Sequence, residues 1–251
     1  MTLTVQQILA YSRCGEYHRM TAIEGVPNPP SLRQVVSRAV RDAVQADLRR
    51  KLDTGTVQPT PEALQNLKGI VTYHLSGDLA LNAEQAATGN RRIFEYVMIS
   101  AQRMYLLWRG TVAARISPLT LGQNFSLSVG IHEVTGRFEI LEPAGIRATK
   151  VRSRSPEEGE SHQDLALAIQ ALALFHGEHP VMHATVDYLI DTKQMAYVRQ
   201  EVEFDGGTLE AAEQRLKALF RALEEGQYLP APADAWWCRA CYLRTCCRFV
   251  A

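Results

Sequence analysis

The spacing of apolar residues changes once along the chain, and this change restricts the fold more than any other feature. Between residues 32 and 110, apolar side chains recur every three or four positions, which predicts amphipathic helices. From residue 124 onward, short segments alternate apolar with polar side chains, which predicts half-buried strands. A chain with both patterns is neither all-helical nor all-β. It is predicted to be an α/β domain.

The predicted elements give this domain a definite order. They are helices at 4–25, 32–52 and 61–110, strands at 124–134, 136–143 and 145–153, a helix at 164–177, strands at 181–191 and 195–204, and a helix at 208–226. The helices before the first strand are interpreted as a helical N-terminal insertion. With 251 residues the chain can bury a full hydrophobic core, so one domain over 1–251 is expected.

The five cysteines are distributed unevenly. Four of them lie in the stretch WWCRACYLRTCCRFVA, and the fifth, Cys14, lies in the first predicted helix. The N-terminal residues lack the pattern of a secretory signal, and no apolar run approaches the roughly eighteen residues of a membrane span. A cytoplasmic location is therefore expected. In that reducing compartment, clustered cysteines indicate a bound metal before disulfides.

The spacing of the thiols narrows the kind of metal site. Cys238 and Cys241 form a C-x-x-C pair, and Cys247 follows further along. Four cysteines can hold either tetrahedral zinc or an iron–sulfur cluster. Structural zinc sites usually pair two short knuckles and this chain has one, so the spacing favours an iron–sulfur cluster, with zinc as the alternative. Cys246 adjoins Cys247, which makes ligation by both awkward, and for Cys14 a buried apolar thiol is the alternative.

The segments ILAYSRCGEYHRM and GQYLPAPADAWWCRACYLRTCC resemble the two ends of a known family. They are similar to the iron–sulfur branch of the PD-(D/E)XK nucleases, which includes the AddB nuclease domain and the RecB-like nuclease associated with CRISPR spacer acquisition. The resemblance implies a restriction-endonuclease-like mixed sheet flanked by helices. It also implies a [4Fe–4S] cluster that joins the two ends of the chain. By this resemblance the cluster ligands are Cys14, Cys238, Cys241 and Cys247, and Cys246 is left over.

The resemblance also divides the chain into parts. Residues 1–30 would hold the opening helix with the first cluster cysteine, and 31–115 the helical region. Residues 116–226 would form the core sheet and its helices, and 227–251 the iron–sulfur segment. The chain is expected to be a single domain of RecB-like nuclease fold.

The resemblance implies a nuclease site built around Mg²⁺ or Mn²⁺. Carboxylates on two adjacent core strands hold the metal ion in this family, and a Lys two residues after the second acid orients the attacking water. The first motif, Gly-x-x-Asp, is matched by the stretch GIHE, so that Glu133 stands where the Asp would be. The second motif is matched by Ala148, Thr149 and Lys150, so that the Lys is present and the acid is missing.

Two further motifs of the family depart from its pattern. Its early helix usually carries a metal-ligating His, for which Ser37 is the nearest equivalent in this chain. The Gln and Tyr of its core helix are replaced by Asp164 and Ala168. Together with Ala148, these departures indicate a degenerate catalytic site, in which Glu133 and Lys150 are remnants.

Alternative sources of a second acid remain open. Asp191 and Lys193 also fit an acid-x-Lys pattern, but a turn between two predicted strands explains them more simply. Migration of an acid from neighbouring backbone is another route, for which the candidates are Glu142, Glu157 and Glu160. The ordinary interpretation of these three is that they are solvated charges on loops.

A local basic cluster offers a surface for nucleic acid. Formal net charge is zero, so a surface that binds polyanions would have to be such a patch. Its members lie close together in sequence, where the DNA backbone would run in the family: Arg147, Lys150, Arg152 and Arg154. Trp236 and Trp237 could stack on a base, although packing around the cluster is the preferred interpretation.

Three functions follow from these patterns. The favoured one is an iron–sulfur protein of nuclease fold with an inactive or impaired site, which binds single-stranded DNA or DNA ends and joins a protein partner in a DNA-processing or defence complex. It is favoured because the cluster ligands are present while the catalytic acids are not. The second is an active Mg²⁺- or Mn²⁺-dependent DNA exonuclease that uses Glu133, Lys150 and a migrated acid. The third is a protein-interaction module stabilised by zinc or by the cluster.

Overall fold

The computed structural model describes residues 1–177, 183–239 and 241–250. The α-helices are α1 (Val5–Arg13), α2 (Gly15–His18), α3 (Leu32–Thr54), α4 (Thr60–Leu75), α5 (Ala83–Thr88), α6 (Asn90–Thr111), α7 (Leu165–Phe175), α8 (Gly206–Glu224) and α9 (Trp236–Arg239). The strands are β1 (Thr2–Thr4), β2 (Thr120–Leu121), β3 (Asn124–Val129), β4 (His132–Arg137), β5 (Ile140–Glu142), β6 (Gly145–Arg152), β7 (His183–Ile190) and β8 (Ala196–Glu203). A π-helical turn spans Arg19–Ile23, and 3₁₀ turns span Ala113–Arg115, Glu160–Gln163 and Tyr242–Cys246.

The strands form two sheets. The larger sheet has five strands in the order β2-β5-β6-β7-β8, and the smaller has the order β1-β4-β3. In the larger sheet β6 and β7 are parallel, while the other neighbours are antiparallel. Parallel neighbours need a crossover connection, and α7 lies in the chain between β6 and β7. The predicted α/β class with a mixed sheet flanked by helices is confirmed.

Helices cover both faces of the larger sheet, and the alternation of side chains along its strands decides which layer each residue joins. On β6 and β7, Ile146 and Val186 pack into one apolar core with α7 and α8. Leu189 packs into the other core, with α3, α4 and α6. The helices predicted as an N-terminal insertion thus form the second layer over the sheet. No helix in the described part of the chain is long and apolar enough to cross a membrane.

The predicted helix over 4–25 is interrupted in the structure. Residues Thr2–Thr4 form β1, which pairs with β4, and α1 ends before Cys14. Cys14 has an extended backbone, with φ −163° and ψ 111°, and α2 begins at Gly15. The prediction missed the break because the apolar spacing continues through it.

The predicted strand over 124–134 is a hairpin. Gly130 has φ +62°, a left-handed conformation that glycine adopts without steric penalty, and it turns the chain from β3 into β4. The predicted strand over 136–143 is also divided, since β4 ends at Arg137 and β5 begins at Ile140. The prediction for β7 extended to residues 181 and 182, which lie outside the described residues.

Helix α3 spans one side of the candidate site described below. Ser31 caps its first turn by a reciprocal capping box with Gln34, and Gly55 follows its last turn with φ +78°. Between these ends, its buried face packs on α4 and α6, and the opposite face carries arginines. This arrangement places a row of basic side chains beside the sheet.

Candidate functional site

A cleft of about 790 Å³ lies where α3, the junction of β4 and β5, β6 and the start of α7 meet. Its polar lining combines both signs of charge with amide and hydroxyl groups. The polar side chains used below are Arg41, Glu139, Thr149, Lys150 and Asp164. A concave site with converging polar groups is the usual form of a binding or active site.

Glu139 reaches this cleft because of the pairing between β5 and β6. Ile140 lies opposite Arg147 in that antiparallel pair, and one further step in the same register places Glu139 opposite Ala148. The backbone N–H of Thr149 donates to Oε1 of Glu139 at 3.3 Å. The acid of one strand therefore faces the position where the family's second acid would stand.

Glu139 also completes a second Gly-x-x-Glu motif that the sequence analysis overlooked. The segment Gly136-Arg137-Phe138-Glu139 has the same spacing as the GIHE stretch. A Cβ atom at Gly136 would lie 2.4 Å from the ring of Phe125 and 2.8 Å from Val5, so this position needs glycine. The requirement for glycine comes from packing within the smaller sheet and between this sheet and α1.

Burial raises the pKa of Glu139 to about 7. The charges of Arg41, Lys150 and Arg137 and the hydrogen bond from Thr149 oppose that rise, and they do not cancel it. The carboxyl group thus has cations near it and little water. A carboxyl group of this kind is common where a ligand or metal binds.

Lys150 lines the cleft together with Glu139 and forms an ion pair with Asp164. Asp164 also caps α7, accepting from the backbone N–H of Ala166 at 3.0 Å through its other oxygen. The ammonium of Lys150 lies 5.8 Å from the ring centroid of Tyr188. Asp164, which the sequence analysis assigned to the position of a lost Gln, is therefore the carboxylate in contact with Lys150.

Glu133 lies elsewhere, and its predicted pairing with Lys150 in one site is corrected. It is on β4 in the smaller sheet, where it accepts from the Thr2 hydroxyl at 3.1 Å and the Ser126 hydroxyl at 2.5 Å. These hydrogen bonds, chiefly the one from Ser126, lower the pKa of Glu133. The Gly130 turn puts Glu133 at the start of β4, and the structure brings Glu139 to Lys150 instead.

The other acids considered in the sequence analysis are outside the cleft lining. Glu142 and Glu160 form ion pairs with arginines on β6. The backbone N–H of Glu157 donates to Glu160 at 3.1 Å on the segment that follows β6. Asp191 and Lys193 fall in the turn between β7 and β8, as the simpler interpretation predicted.

Arg147 is buried, so its predicted place on an exposed basic surface is corrected. Only 4% of the residue is exposed. Its guanidinium pairs with Glu142, and with Asp187 at 2.7 Å. Arg147 alternates with the cleft-facing residues of β6, and α3 with its neighbouring helices covers the face on which it lies.

The remaining basic residues stay accessible. Arg152 is partly exposed, pairs with Glu160, and lies 4.8 Å from the ring centroid of Tyr188. Arg154 is fully exposed. On α3, Arg33 donates to the Ser153 hydroxyl at 3.0 Å, which places the helix beside the end of β6.

The first cysteine lies at a junction between the opening helices and the segment after α8. The Sγ atom of Cys14 accepts from the backbone N–H of Tyr17 at 3.4 Å and of Ala231 at 3.3 Å. Gly15 N–H donates to Leu229 O at 2.8 Å. A Cβ atom at Gly15 would lie 2.8 Å from Leu229 N, so glycine permits this close approach.

Near this junction the C-terminal cysteines approach Cys14. Burial raises the pKa of the Cys241 thiol, and the nearby thiols of Cys14, Cys238 and Cys247 raise it further. Cys246 is exposed and its thiol donates to Leu243 O at 3.2 Å. The four thiols that the resemblance selects thus lie near one another, and Cys246 points elsewhere.

The cysteines supply the sulfur donors that a soft metal centre needs, but their side chains are not arranged around a metal ion. All five are free thiols, and no three His, Cys, Asp or Glu side chains among the described residues are arranged to hold a metal ion. Sulfur donors suit zinc and iron–sulfur clusters. Ligation would need the thiols to draw together by side-chain rotation. The side chain of Trp236 lies outside the described part of the chain.

Comparison with known proteins bears on the fold. No protein-family model matches the sequence. No curated protein matches it either. Among solved structures, a protein from Eubacterium rectale named "Putative exonuclease" is similar with a TM-score of 0.57 and 10% identity, over 95% of this chain and 87% of its own. The two proteins share a fold. The protein SSO0001 is less similar, with a TM-score of 0.40 and 9% identity over 93% of this chain and 94% of its own.

Proposed function

We propose that this chain is an iron–sulfur protein of nuclease fold that binds DNA and cleaves it weakly or not at all. The observation that carries the proposal is the placement of Ala148 opposite Glu139 in the cleft. A two-carboxylate metal site would have its second acid at this position. The chain keeps the fold, the first acid and Lys150, and it lacks the group that would complete the metal site.

The chemistry of the remaining groups supports weak metal binding. Mg²⁺ is a hard cation that binds oxygen ligands, and when bound it activates a water molecule and neutralises charge on a phosphate. Glu139 is one such ligand, but its raised pKa means that the charged form is disfavoured. Asp164 is engaged by Lys150 and by the N-terminus of α7. Lys150 itself can still orient a water or a phosphate oxygen at the cleft.

DNA binding is proposed for the basic face that borders this cleft. Lys150 and Arg152 lie on β6, Arg154 follows the end of that strand, and Arg33 and Arg41 add charges from α3. Basic side chains in such a row fit the phosphates of a nucleic-acid strand. A single strand or a DNA end is the proposed ligand, and Arg147 is excluded from the contact by its burial.

A protein partner in a DNA-processing complex is part of the same proposal. The formal net charge of zero gives the chain little general attraction for DNA, so a partner would have to contribute binding surface. On α6, Tyr96, Ile99 and Leu106 are exposed on one face of the helix, Tyr96 and Ile99 one turn apart and Leu106 two turns further on. Adjacent exposed apolar residues of this kind occur at protein interfaces more often than on free surfaces.

The cysteines are proposed to hold a [4Fe–4S] cluster through Cys14, Cys238, Cys241 and Cys247. Support comes from their convergence at the junction of the opening helices with the segment after α8. Bound there, the cluster would link the two ends of the chain. Iron and sulfide content of protein purified without oxygen tests the assignment. Cys241→Ser should lose the iron and Cys246→Ser should keep it. Zinc in place of iron would favour the interaction module.

An active nuclease is the second candidate, and one observation favours it. Asp164 lies in contact with Lys150 at the cleft, so it could act as the migrated acid that the sequence analysis sought among Glu142, Glu157 and Glu160. In that case Glu139 and Asp164 would share an Mg²⁺ or Mn²⁺ ion. Asp164 would then have to give up its ion pair.

A cleavage assay on labelled single-stranded DNA with Mg²⁺ or Mn²⁺ decides between the impaired site and the active nuclease. The proposal expects little or no cleavage by the cluster-loaded protein, and much faster cleavage by Ala148→Glu, which places an acid beside Glu139. Lys150→Ala added to that variant should remove the gained activity. Cleavage by the unchanged protein that disappears in both Lys150→Ala and Asp164→Asn would establish the active nuclease instead.

A further inference from the structure

We propose that the cleft holds a backbone phosphate of DNA directly, between the Arg41 guanidinium and the Lys150 ammonium, without a divalent metal ion. This inference rests on the DNA binding proposed above and specifies how the phosphate is held. A metal ion in a nuclease site neutralises the phosphate, and here two side-chain cations would take that role.

Arg41 is positioned for this role by α3. It lies one helical turn after Ser37, the position matched to the family's metal-ligating His, and therefore on the same face of the helix. Its side chain is exposed and lines the cleft. Its charge acts on the Glu139 carboxyl group, as does the charge of Lys150. Both cations therefore line the same cleft as Glu139 and act on its carboxyl group.

The guanidinium of Arg41 is also available. Among the residues that the structure describes, it makes no ion pair and no hydrogen bond, whereas the carboxylates near it have their own partners. Asp42 contacts His74, with 2.7 Å between Oδ2 and Nε2, and Asp164 forms an ion pair with Lys150. A free guanidinium at the mouth of a cleft is suited to bind a phosphate through two parallel hydrogen bonds.

A buried hydroxyl group provides an independent sign of a missing ligand. Thr149 lines the cleft and is 1% exposed, yet its Oγ1 has no hydrogen-bond partner among the described residues. Buried polar atoms are normally hydrogen-bonded, so unpaired ones in a cleft indicate a ligand or ordered water. Because the Thr149 hydroxyl is covered, a phosphate oxygen would accept from it only after neighbouring side chains had moved.

Direct binding by cations and binding through Mg²⁺ predict opposite effects of a chelator. If Arg41 and Lys150 hold the phosphate, removing divalent ions should leave affinity unchanged or increase it, because Mg²⁺ competes with basic side chains for the DNA backbone. If Mg²⁺ bridges the phosphate to Glu139, a chelator should weaken binding and added Mg²⁺ should restore it.

The experiment is fluorescence anisotropy with a fluorescein-labelled single-stranded oligonucleotide, at fixed salt, in EDTA and in Mg²⁺. Arg41→Ala should weaken binding about tenfold or more in EDTA, the amount expected for loss of a charge-assisted hydrogen-bond pair. For this variant, the slope of the logarithm of affinity against the logarithm of salt concentration should become less steep by about one unit. Arg41→Lys keeps the charge but loses the paired geometry, so its affinity should lie in between.

Arg91→Ala is the matched control, since Arg91 is a 92% exposed arginine on α6 outside the cleft lining. It removes the same charge and should leave affinity nearly unchanged. Equal effects of Arg41→Ala and Arg91→Ala, or binding that requires Mg²⁺, would overturn the inference while leaving DNA binding intact. No binding by the unchanged protein in either buffer would instead overturn the proposed function. Circular dichroism confirms that each variant is folded.

Discussion

The carboxyl group of Glu139 is subject to two opposing influences, and burial is the stronger. The nearby cations favour its charged form, and the loss of water favours its neutral form, with the result that its pKa is about 7. Across the physiological range this residue therefore changes charge within the cleft. The variant Glu139→Gln keeps the shape of the side chain and removes the titration.

Protein stability should depend on pH through this residue. Because the folded pKa is raised above the ordinary value of 4.5, its stabilising contribution is full below about pH 4.5 and is lost as pH rises to about 7. The comparison is the free energy of unfolding of Glu139→Gln minus that of the unchanged protein. In EDTA this difference should be larger at pH 8 than at pH 4 by up to about 3 kcal/mol. Urea unfolding at several pH values measures this. Parallel pH curves for the two proteins would contradict the assigned pKa.

Arg147 and Arg152 have the same charge on the same strand and should respond differently to substitution. Among the described residues, Arg147→Ala leaves buried Asp187 with the Tyr197 hydroxyl as its remaining side-chain partner, so it should destabilise the fold by about 3 kcal/mol or more. Arg152→Ala, on a partly exposed side chain, should change stability by about 1 kcal/mol or less and weaken DNA binding instead. Thermal unfolding separates the two. A mild effect of Arg147→Ala would show that the buried pair contributes little.

For single residues, the sequence predicts which residue types the candidate site contains, but it does not always predict where they lie. The placement of Ala148 and Lys150 on one strand is predicted from the alternating pattern of residues 145–153, and β6 has that position. The sequence holds two Gly-x-x-Glu segments six residues apart, and the prediction took Glu133 from the first without considering Glu139 in the second. Only the pairing of β5 with β6 distinguishes them, and pairing is not visible in spacing.

At the level of elements, the break between α1 and α2 brings the opening helices against the segment after α8. Tyr11 adds a contact there, since its hydroxyl donates to Gln227 O at 2.5 Å. The contact at the break could not be predicted, because Gly15 meets the backbone of Tyr228 and Leu229, which lie far away in sequence. By contrast, α7 and α8 were predicted closely, since their apolar spacing and their ends are local features.

Substitution of two glycines should reveal this contact. Gly15→Ala puts a Cβ atom 2.8 Å from Leu229 N, and the backbone there cannot move aside as a flexible side chain would, so the fold should lose about 1–3 kcal/mol. Gly69→Ala on α4 meets nothing within 4 Å and should stabilise the helix by about 0.5–1 kcal/mol. Chemical unfolding of both variants gives the comparison, and equal effects would contradict the close approach.

For the whole molecule, the larger sheet joins two helical layers into one body. Ile140 and Leu189 face the layer of α3, α4 and α6, and Ile146 and Val186 face the layer of α7 and α8. The sequence predicted the helices before the sheet, yet it described them as an insertion. Their role as a layer depends on which strands pair, and this is a long-range property.

Unfolding should therefore be cooperative across both layers. Leu67→Ala in α4 and Leu216→Ala in α8 each remove a fully buried side chain, from different layers. Each should lower the free energy of unfolding by about 2–5 kcal/mol and shift one common transition. Circular dichroism and tryptophan fluorescence should report the same midpoint for each variant. A second transition in either variant would show that the layers unfold separately.

The hydrogen bond from Ala231 to Cys14 has a consequence for how the protein is made. It joins residues 217 positions apart, so it cannot form until translation has passed Ala231 and that residue has emerged from the ribosome. Until then Cys14 and the opening helices lack their final neighbours, while β6 and the helices before it can already assemble. Enclosure of the first thiol thus waits for the segment after α8. Any centre that needs Cys14 together with Cys238 must be loaded after Cys238 has emerged from the ribosome.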